Sequence, residues 1–224
     1  MLLTLVYLLV LSAQVVRGQV VVNGQIFTRG LAIIDSPAPG TPLHAGSTAA
    51  IAIDVSGDGH LTPDALYTNS GSSTHFTSLE IYLTSPALNV TVSQGPGLLQ
   101  QESGSTVKHI TWLIDNCVPS GNYNLTFYEG SFIQSTPYFT ITPLPVSVQN
   151  TNPTGACANG TNAVQTVPQA STSLLTSPWL DQTQTSIVPF PSATASNAFN
   201  PHVMSSVREV LLLAGAAAYL TYWV

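Results

Sequence analysis

The central part of the chain, residues 24–146, alternates apolar and polar residues in short runs that Gly, Pro, Asn and Ser separate. This period of two predicts β-strands with one buried face, because successive side chains of a strand point to opposite sides. We predict strands at residues 29–34, 48–55, 78–84, 88–93, 107–114, 122–128 and 137–142. Their number and short spacing predict an all-β fold, an immunoglobulin- or fibronectin-like antiparallel β-sandwich.

The alternation also assigns side chains to the two faces of each strand. The residues predicted to face the core are Leu79, Ile81 and Leu83, then Ile110, Trp112 and Ile114, then Tyr123, Leu125 and Phe127. Glu80 and Tyr82 are predicted to face solvent. The sequons NVT at Asn89 and NLT at Asn124 lie on the predicted outer face, and NGT at Asn159 follows the domain. Since a glycan needs a solvent-facing asparagine, these sequons predict a glycoprotein.

The first residues of the chain resemble a secretory signal peptide. Residues 2–13 form an apolar run, and Val16-Arg17-Gly18 ends it with small residues at the −3 and −1 positions. Such a run is too short for a good spanning helix and has the usual length of a signal-peptide core. We therefore expect cleavage before Gln19, which removes residues 1–18, and secretion of the rest.

The last residues have the layout of a glycosylphosphatidylinositol signal. Small residues Ser196, Asn197 and Ala198 precede a polar spacer, residues 199–209, and an apolar tail, residues 210–224. The alternative is a tail-anchored helix, but such a tail spans roughly 22 Å against a hydrocarbon core of about 30 Å. We expect lipid attachment at Ser196, with Ser192 as the second choice, and removal of residues 197–224.

Between the two processed ends, residues 19–196 are acidic and change composition near residue 147. Two basic residues, Arg29 and Lys108, stand against nine acidic ones, which gives a formal net charge of −7. This charge argues against nucleic acid as a partner, because no basic cluster can neutralise phosphates. Residues 147–196 are rich in Ser, Thr, Asn and Pro and predict an extended, disordered stalk after the β-sandwich domain.

Several segments together resemble a known family. The chain contains IDSPAPGTPLHAGST, SLEIYL, CVPSGNYNLTFYEG and PYFTITPLP. Over roughly residues 31–142 this pattern resembles the N-terminal domain of the fungal cell wall synthesis Kre9/Knh1 family, whose members include Ser/Thr-rich lipid-anchored surface proteins. The resemblance implies a role in the cell wall and carries over no catalytic residues. Tyr123 stands where an immunoglobulin-like sandwich has a tyrosine corner, which implies a hydroxyl bond to the backbone near residues 119–121.

The sequence favours a chain that is not an enzyme. His44, His60, His75 and His109 lack paired spacing and are interpreted as surface residues rather than metal ligands. Gln19 is not the N-terminal histidine of a copper monooxygenase, and no G-x-S-x-G motif is present. Glycosidase carboxylates have no diagnostic spacing, so a glycan-active enzyme stays as an alternative. The candidate carboxylates, interpreted as an exposed acidic face, are Asp35, Asp54, Glu80 and Glu129. We predict no cofactor.

The stretch DVSGDGHLTPDAL, residues 54–66, resembles part of a calcium loop. Asp54, Ser56 and Asp58 alternate and Gly59 follows, but Ala65 stands where an EF-hand has its bidentate glutamate. We therefore predict a turn in which the glycines adopt positive φ. A weak calcium site with ligands from another loop stays open.

Two functions from different classes fit these features. The first is a lipid-anchored cell-surface or cell-wall glycoprotein with a structural role, which we expect to be a monomer. The second is a non-catalytic module that binds β-glucan or chitin through exposed aromatic rings. The candidate rings are Tyr67, Tyr82, Tyr128 and Tyr138.

The chain has two cysteines, Cys117 and Cys157. In an oxidising compartment we expect them to pair with each other, and the alternative is a bond to another wall glycoprotein. The internal bond would order residues 147–157 against the sandwich, with free motion beginning after Cys157.

Overall fold

The structure, a computed structural model, describes residues 19–172, 174–180 and 187–188 and contains two β-sheets. The first sheet has the order β11-β1-β2-β3-β5-β8 and is antiparallel throughout. Its strands are β1 (Gln19–Val22), β2 (Gln25–Phe27), β3 (Ile33–Ser36), β5 (Thr48–Asp54), β8 (Val107–Leu113) and β11 (Ile187–Val188).

The second sheet has the order β4-β10-β9-β6-β7, in which β4 and β10 are parallel and the other pairs antiparallel. Its strands are β4 (Pro42–His44), β6 (His75–Thr84), β7 (Asn89–Ser93), β9 (Gly121–Ile133) and β10 (Thr136–Gln149). Helical turns are short: the 3₁₀ turns Pro63–Leu66 and Ala163–Thr166, and the helix α1 (Gly97–Gln100). The prediction of an all-β sandwich is confirmed.

The core lies between the two sheets and is formed by the alternate residues that the sequence assigned to it. Leu79, Ile81 and Leu83 are fully buried, and so are the predicted core residues of β9. In the fifth predicted strand Trp112 and Ile114 are buried and Ile110 is half-buried. The Tyr123 hydroxyl donates to the carbonyl oxygen of Pro119 at 2.9 Å, which is the predicted tyrosine corner.

The predicted strand at residues 29–34 is right only at residues 33 and 34, which belong to β3, because residues 28–32 form the connection between β2 and β3. The Thr28 hydroxyl donates to the carbonyl of Ala32 and accepts from the amide of Gly30. The Glu129 carboxylate accepts the amides of Leu31 and Ala32 at 2.7 and 2.9 Å. These backbone groups are therefore satisfied by side chains instead of a neighbouring strand.

The hairpin of β9 and β10 extends beyond the predicted domain boundary at residue 146. Val146 and Val148 are buried on the inner face, and Ser147 to Gln149 pair with β4. The alternation thus continues for three more residues, which belong to the sandwich and not to a stalk. The predicted signal peptide, residues 1–18, and the predicted anchor signal with Ser192 and Ser196 lie outside the described residues.

The predicted disulfide is present, with the Cα atoms of Cys117 and Cys157 5.1 Å apart. It closes a loop with a sequence separation of 40 residues, for which the chain-entropy model gives about 4 kcal/mol of stabilisation. Asn150 adds to this link, because its side-chain amide donates to the carbonyls of Asn116 and Val118 at 2.8 Å. Residues 150–157 are thereby held against one end of the sandwich, as predicted.

The chain after Cys157 also contacts the sandwich, and we call its described residues, 158–172 and 174–180, the strap. Gly160 and Asn89 exchange two hydrogen bonds beside the edge strand β7, at 2.6 and 2.9 Å. The Trp179 indole donates to the carbonyl of Leu31 at 2.8 Å. The prediction that free motion begins after Cys157 is wrong at these contacts, because backbone hydrogen bonds and one large ring replace the apolar content that the segment lacks.

The predicted exposure of Glu80 and Tyr82 is wrong, because the strap covers Tyr82 while Glu80 accepts hydrogen bonds from Tyr82 and from the amide of Gly95. Both side chains point away from the core, as predicted, but both are buried. The Tyr82 hydroxyl lies 3.0 Å from the carbonyl oxygen of Thr161 and 3.2 Å from the Glu80 carboxylate. The outer face of the second sheet is therefore covered at this point, which periodicity alone does not reveal.

Docking of the strap predicts the effect of removing its tryptophan. Truncation of a buried tryptophan to alanine costs about 3–5 kcal/mol. Trp179 is half-buried and makes one hydrogen bond, so we expect Trp179→Ala to lower the free energy of unfolding by about 2–3 kcal/mol. Urea denaturation measures this change. Leu175→Ala is the matched control, because Leu175 lies in the same strap but is 69% exposed, and we expect a change below about 0.5 kcal/mol. Equal, small effects would contradict the docking of the strap.

Candidate functional site

The acidic stretch after β5 forms a turn that its own side chains hold together. The Asp54 carboxylate accepts the amide and the hydroxyl of Ser56 at 2.6 and 2.7 Å, and the amide of Asp58 at 3.3 Å. Gly57, Asp58 and Gly59 have φ of 59°, 57° and 83°. The prediction of a turn with positive φ is confirmed, and Ala65 is buried in the 3₁₀ turn that follows.

A pocket of about 240 Å³ opens between this turn and the connection from α1 to β8. Val55 and Leu99, which are buried, and Leu61 and Leu66, which are half-buried, form its apolar part. Tyr67 stands in its lining with half of its surface, 50%, exposed. The remaining lining residues are mostly polar: Ser56, Gly59, Thr62, Pro63, Gln100, Ser103, Gly104, Ser105, Thr106 and Lys108.

Lys108 fixes one wall of this pocket from within the sandwich. It lies on the inner face of β8, in phase with Trp112, and its side chain is 1% exposed. Its ammonium donates to the carbonyls of Gln101 and Glu102, and these hydrogen bonds hold the connection that precedes β8 in place. Burial lowers the pKa of Lys108, and the nearby Glu102 charge opposes this shift. The inward phase of Lys108 was visible in the sequence, but a lysine at such a position is rarely buried.

The interpretation of the four candidate carboxylates as an exposed acidic face is wrong for three of them. Asp54, Glu80 and Glu129 are buried. Glu80 lies on the outer face of the second sheet, whereas Glu129 lies on its inner face beside Leu31. Asp35 is half-buried and accepts from the Gln25 amide at 2.8 Å. Burial raises the pKa of Asp35, and the Gln25 hydrogen bond opposes this shift.

The four histidines lie in different surroundings. His44 and His109 are exposed, and His60 stacks on Trp179 with ring centroids 5.6 Å apart. The interpretation as a surface residue is wrong for His75, which is buried against Phe132 with its Nδ1 2.7 Å from the carbonyl oxygen of Ser72. Within the described ranges, no group of three His, Cys, Asp or Glu side chains could hold a metal ion.

Of the four tyrosines predicted to stack on glycans, only Tyr67 is well exposed. Tyr82 is buried, and Tyr128 is half-buried, with its ring 5.8 Å from Tyr82 and 6.5 Å from Phe139. Burial raises the pKa of Tyr128, with a hydrogen bond from Asn162 acting in the opposite direction. Tyr138 pairs with buried Ser131, on the inner register of β10, so its predicted outward direction is wrong.

The sequon asparagines differ in their surroundings. Asn159 is exposed in the strap, and Asn124 is half-buried on the outer register of β9. Asn89 is half-buried, because its side-chain amide donates to the carbonyl of Gly160. Asn159 is therefore the most accessible of the three to a bulky modification.

No family model and no curated protein matches the sequence. Among solved structures, the chain is similar to fibronectin(III)-like modules of CbhA from Clostridium thermocellum, with 19% identity and a TM-score of 0.29. The match covers 53% of this chain and 46% of that chain. Among the residues that the structure describes, no helix has the length and apolar character needed to span a membrane.

The buried Glu129 carboxylate predicts a pH-dependent stability. Burial raises the pKa of Glu129, and the amides of Leu31 and Ala32 oppose this shift. The pKa of Glu129 is therefore higher in the folded protein than in the unfolded chain. Below the unfolded pKa, the protonated Glu129 makes its full contribution to the free energy of unfolding, and this contribution is lost as the pH rises through the folded pKa. We expect the unfolding free energy of the wild type to fall across this window relative to Glu129→Gln. Urea denaturation at successive pH values measures it, with Asp64→Asn, at an exposed carboxylate, as control. Parallel curves for wild type and Glu129→Gln would contradict the assignment.

Proposed function

We propose that this chain is an extracellular glycoprotein whose β-sandwich is held at the cell surface or in the cell wall by a lipid anchor. The observation that carries the proposal is the Cys117–Cys157 disulfide, which links the sandwich covalently to the residue that precedes the strap. Such bonds persist in oxidising compartments and are rare in the cytosol. The signal-like first residues, the anchor-like last residues and the exposed Asn159 sequon support the same location.

The proposed role is structural organisation of the wall, without catalysis. Asp54, Glu80 and Glu129 each use their carboxylate oxygens to hold the local backbone. A glycosidase needs two carboxylates that flank one bond in an open site, and the sheet separates Glu80 from Glu129. The resemblance to the Kre9/Knh1 N-terminal domain supports the wall role. Wall polysaccharide and other wall glycoproteins are the proposed partners of a monomer.

The lipid anchor is tested by a phospholipase specific for phosphatidylinositol. We expect the enzyme to release the protein from membranes, because attachment at Ser196 would leave the lipid as the link to the bilayer. A variant that ends at residue 196 is the control and should reach the medium without phospholipase. Detection of residues 210–224 in the mature protein by mass spectrometry would contradict the anchor.

A second candidate function is carbohydrate binding, favoured by the position of the half-exposed Tyr67 ring in the pocket lining. Apolar residues beside a few polar groups are the usual composition of a ligand pocket. We expect the purified protein to be retained on insoluble β-glucan or chitin in a pull-down. Heat-denatured protein is the control for non-specific adsorption. Equal recovery of native and denatured protein would leave the structural role as the proposed function.

A further inference from the structure

We propose that the pocket binds one neutral sugar residue at the end of a glycan chain, with the Tyr67 ring as its stacking platform. The inference rests on carbohydrate binding, the second candidate function, and states which part of the glycan is recognised. Three properties of the pocket support the inference: its volume, the chemistry of its lining and the charges around it.

The volume of the pocket suits a single ring. About 240 Å³ lies below the roughly 300–1,000 Å³ of pockets for drug-sized ligands. Two connections that leave the same end of the sandwich, one after β5 and one before β8, form its walls. A long glycan would lie along an open face of a sheet, whereas this pocket offers space for its terminal residue.

The lining matches the two kinds of surface that a sugar presents. One face of a sugar ring is formed by C–H groups, which fit the apolar side of the pocket at Leu61, Leu66 and Leu99 and the ring of Tyr67. Its hydroxyls need donors and acceptors, and the pocket provides them at Thr62, Gln100, Ser103 and Thr106. The buried Lys108 ammonium donates to the carbonyls of Gln101 and Glu102 and so holds the polar wall of the pocket in place.

The charges in and around the pocket favour a neutral ligand. Lys108 is the single charged residue in the described lining, and the carbonyls of Gln101 and Glu102 already surround its ammonium. Asp58 and Asp64 belong to the turn and the 3₁₀ helix that border the pocket. An anionic sugar would approach these carboxylates with one buried cation to compensate, and a neutral sugar avoids this cost.

The outer face of the second sheet is the competing surface. Tyr128 and Phe139 stack there, and Ile141 beside them is 43% exposed. The strap covers Tyr82 at the end of this row, so the aromatic surface does not continue across β6. A flat strip would bind a glycan along its length, and its affinity would increase with chain length. The two surfaces therefore differ in a measurable way.

The test measures binding of short glycans to the purified full-length protein by ligand-observed NMR titration. The probes are the disaccharide and the hexasaccharide of β-1,3-linked glucose, and the same lengths of the N-acetylglucosamine polymer. Recognition of a chain end predicts that both lengths of the binding series have Kd values within about twofold. We expect Tyr67→Ala to weaken binding about tenfold, as truncation of an aromatic hot spot does. Gln100→Ala, at a second exposed lining residue, should also weaken it.

Ile141→Ala is the matched control, because it truncates an exposed apolar side chain on the competing face and should leave Kd unchanged. A hexasaccharide that binds about tenfold or more tightly than the disaccharide would overturn the pocket. So would an unchanged Kd in Tyr67→Ala, or a loss of binding in Ile141→Ala. Each of these results overturns the pocket as the binding site, while retention of the protein on the polymers would still support carbohydrate binding. A wild type that binds neither polymers nor oligosaccharides overturns both the inference and the second candidate function.

Discussion

The disulfide between Cys117 and Cys157 is the constraint on which the arrangement of the second half of the structure depends. It fixes the point from which the strap departs, at the same end of the sandwich as the tyrosine corner of Tyr123. Three residues later Gly160 pairs with Asn89, and Thr161 then meets the Tyr82 hydroxyl. Because the start of the strap is fixed covalently, these few hydrogen bonds order it with a smaller loss of chain entropy.

The strap is coupled to the core through the connection between β2 and β3. Glu129 holds the amides of Leu31 and Ala32 from inside the sandwich, while Trp179 of the strap binds the carbonyl of Leu31. Gly30 lies against the Glu129 carboxylate, where a Cβ atom would collide with it. A buried carboxylate is costly, and here it replaces the strand partner that this part of the backbone lacks. The same five-residue connection thus joins both sheets to the strap.

Local alternation predicted most of the sandwich, because it records which side of a strand is buried. It correctly placed Leu79, Trp112 and Phe127 in the core. The presence of two cysteines in the chain was sufficient to predict the disulfide. Alternation could not predict that Tyr82 is covered, because the covering residue, Thr161, comes from a polar segment almost 80 positions away. Nor could it find the pocket, whose two walls are far apart in sequence and meet through the pairing of β5 with β8.

The strap also supports the turn that borders the pocket. The Trp179 ring stacks on His60, and a Cβ atom at Gly57 would lie 2.6 Å from that ring. Glycine is therefore required at residue 57 for two reasons, its positive φ and the close approach of the indole. Gly59 and Leu61, on either side of His60, line the pocket. The segment that composition assigned to a stalk consequently helps to hold one wall of the candidate binding site in place.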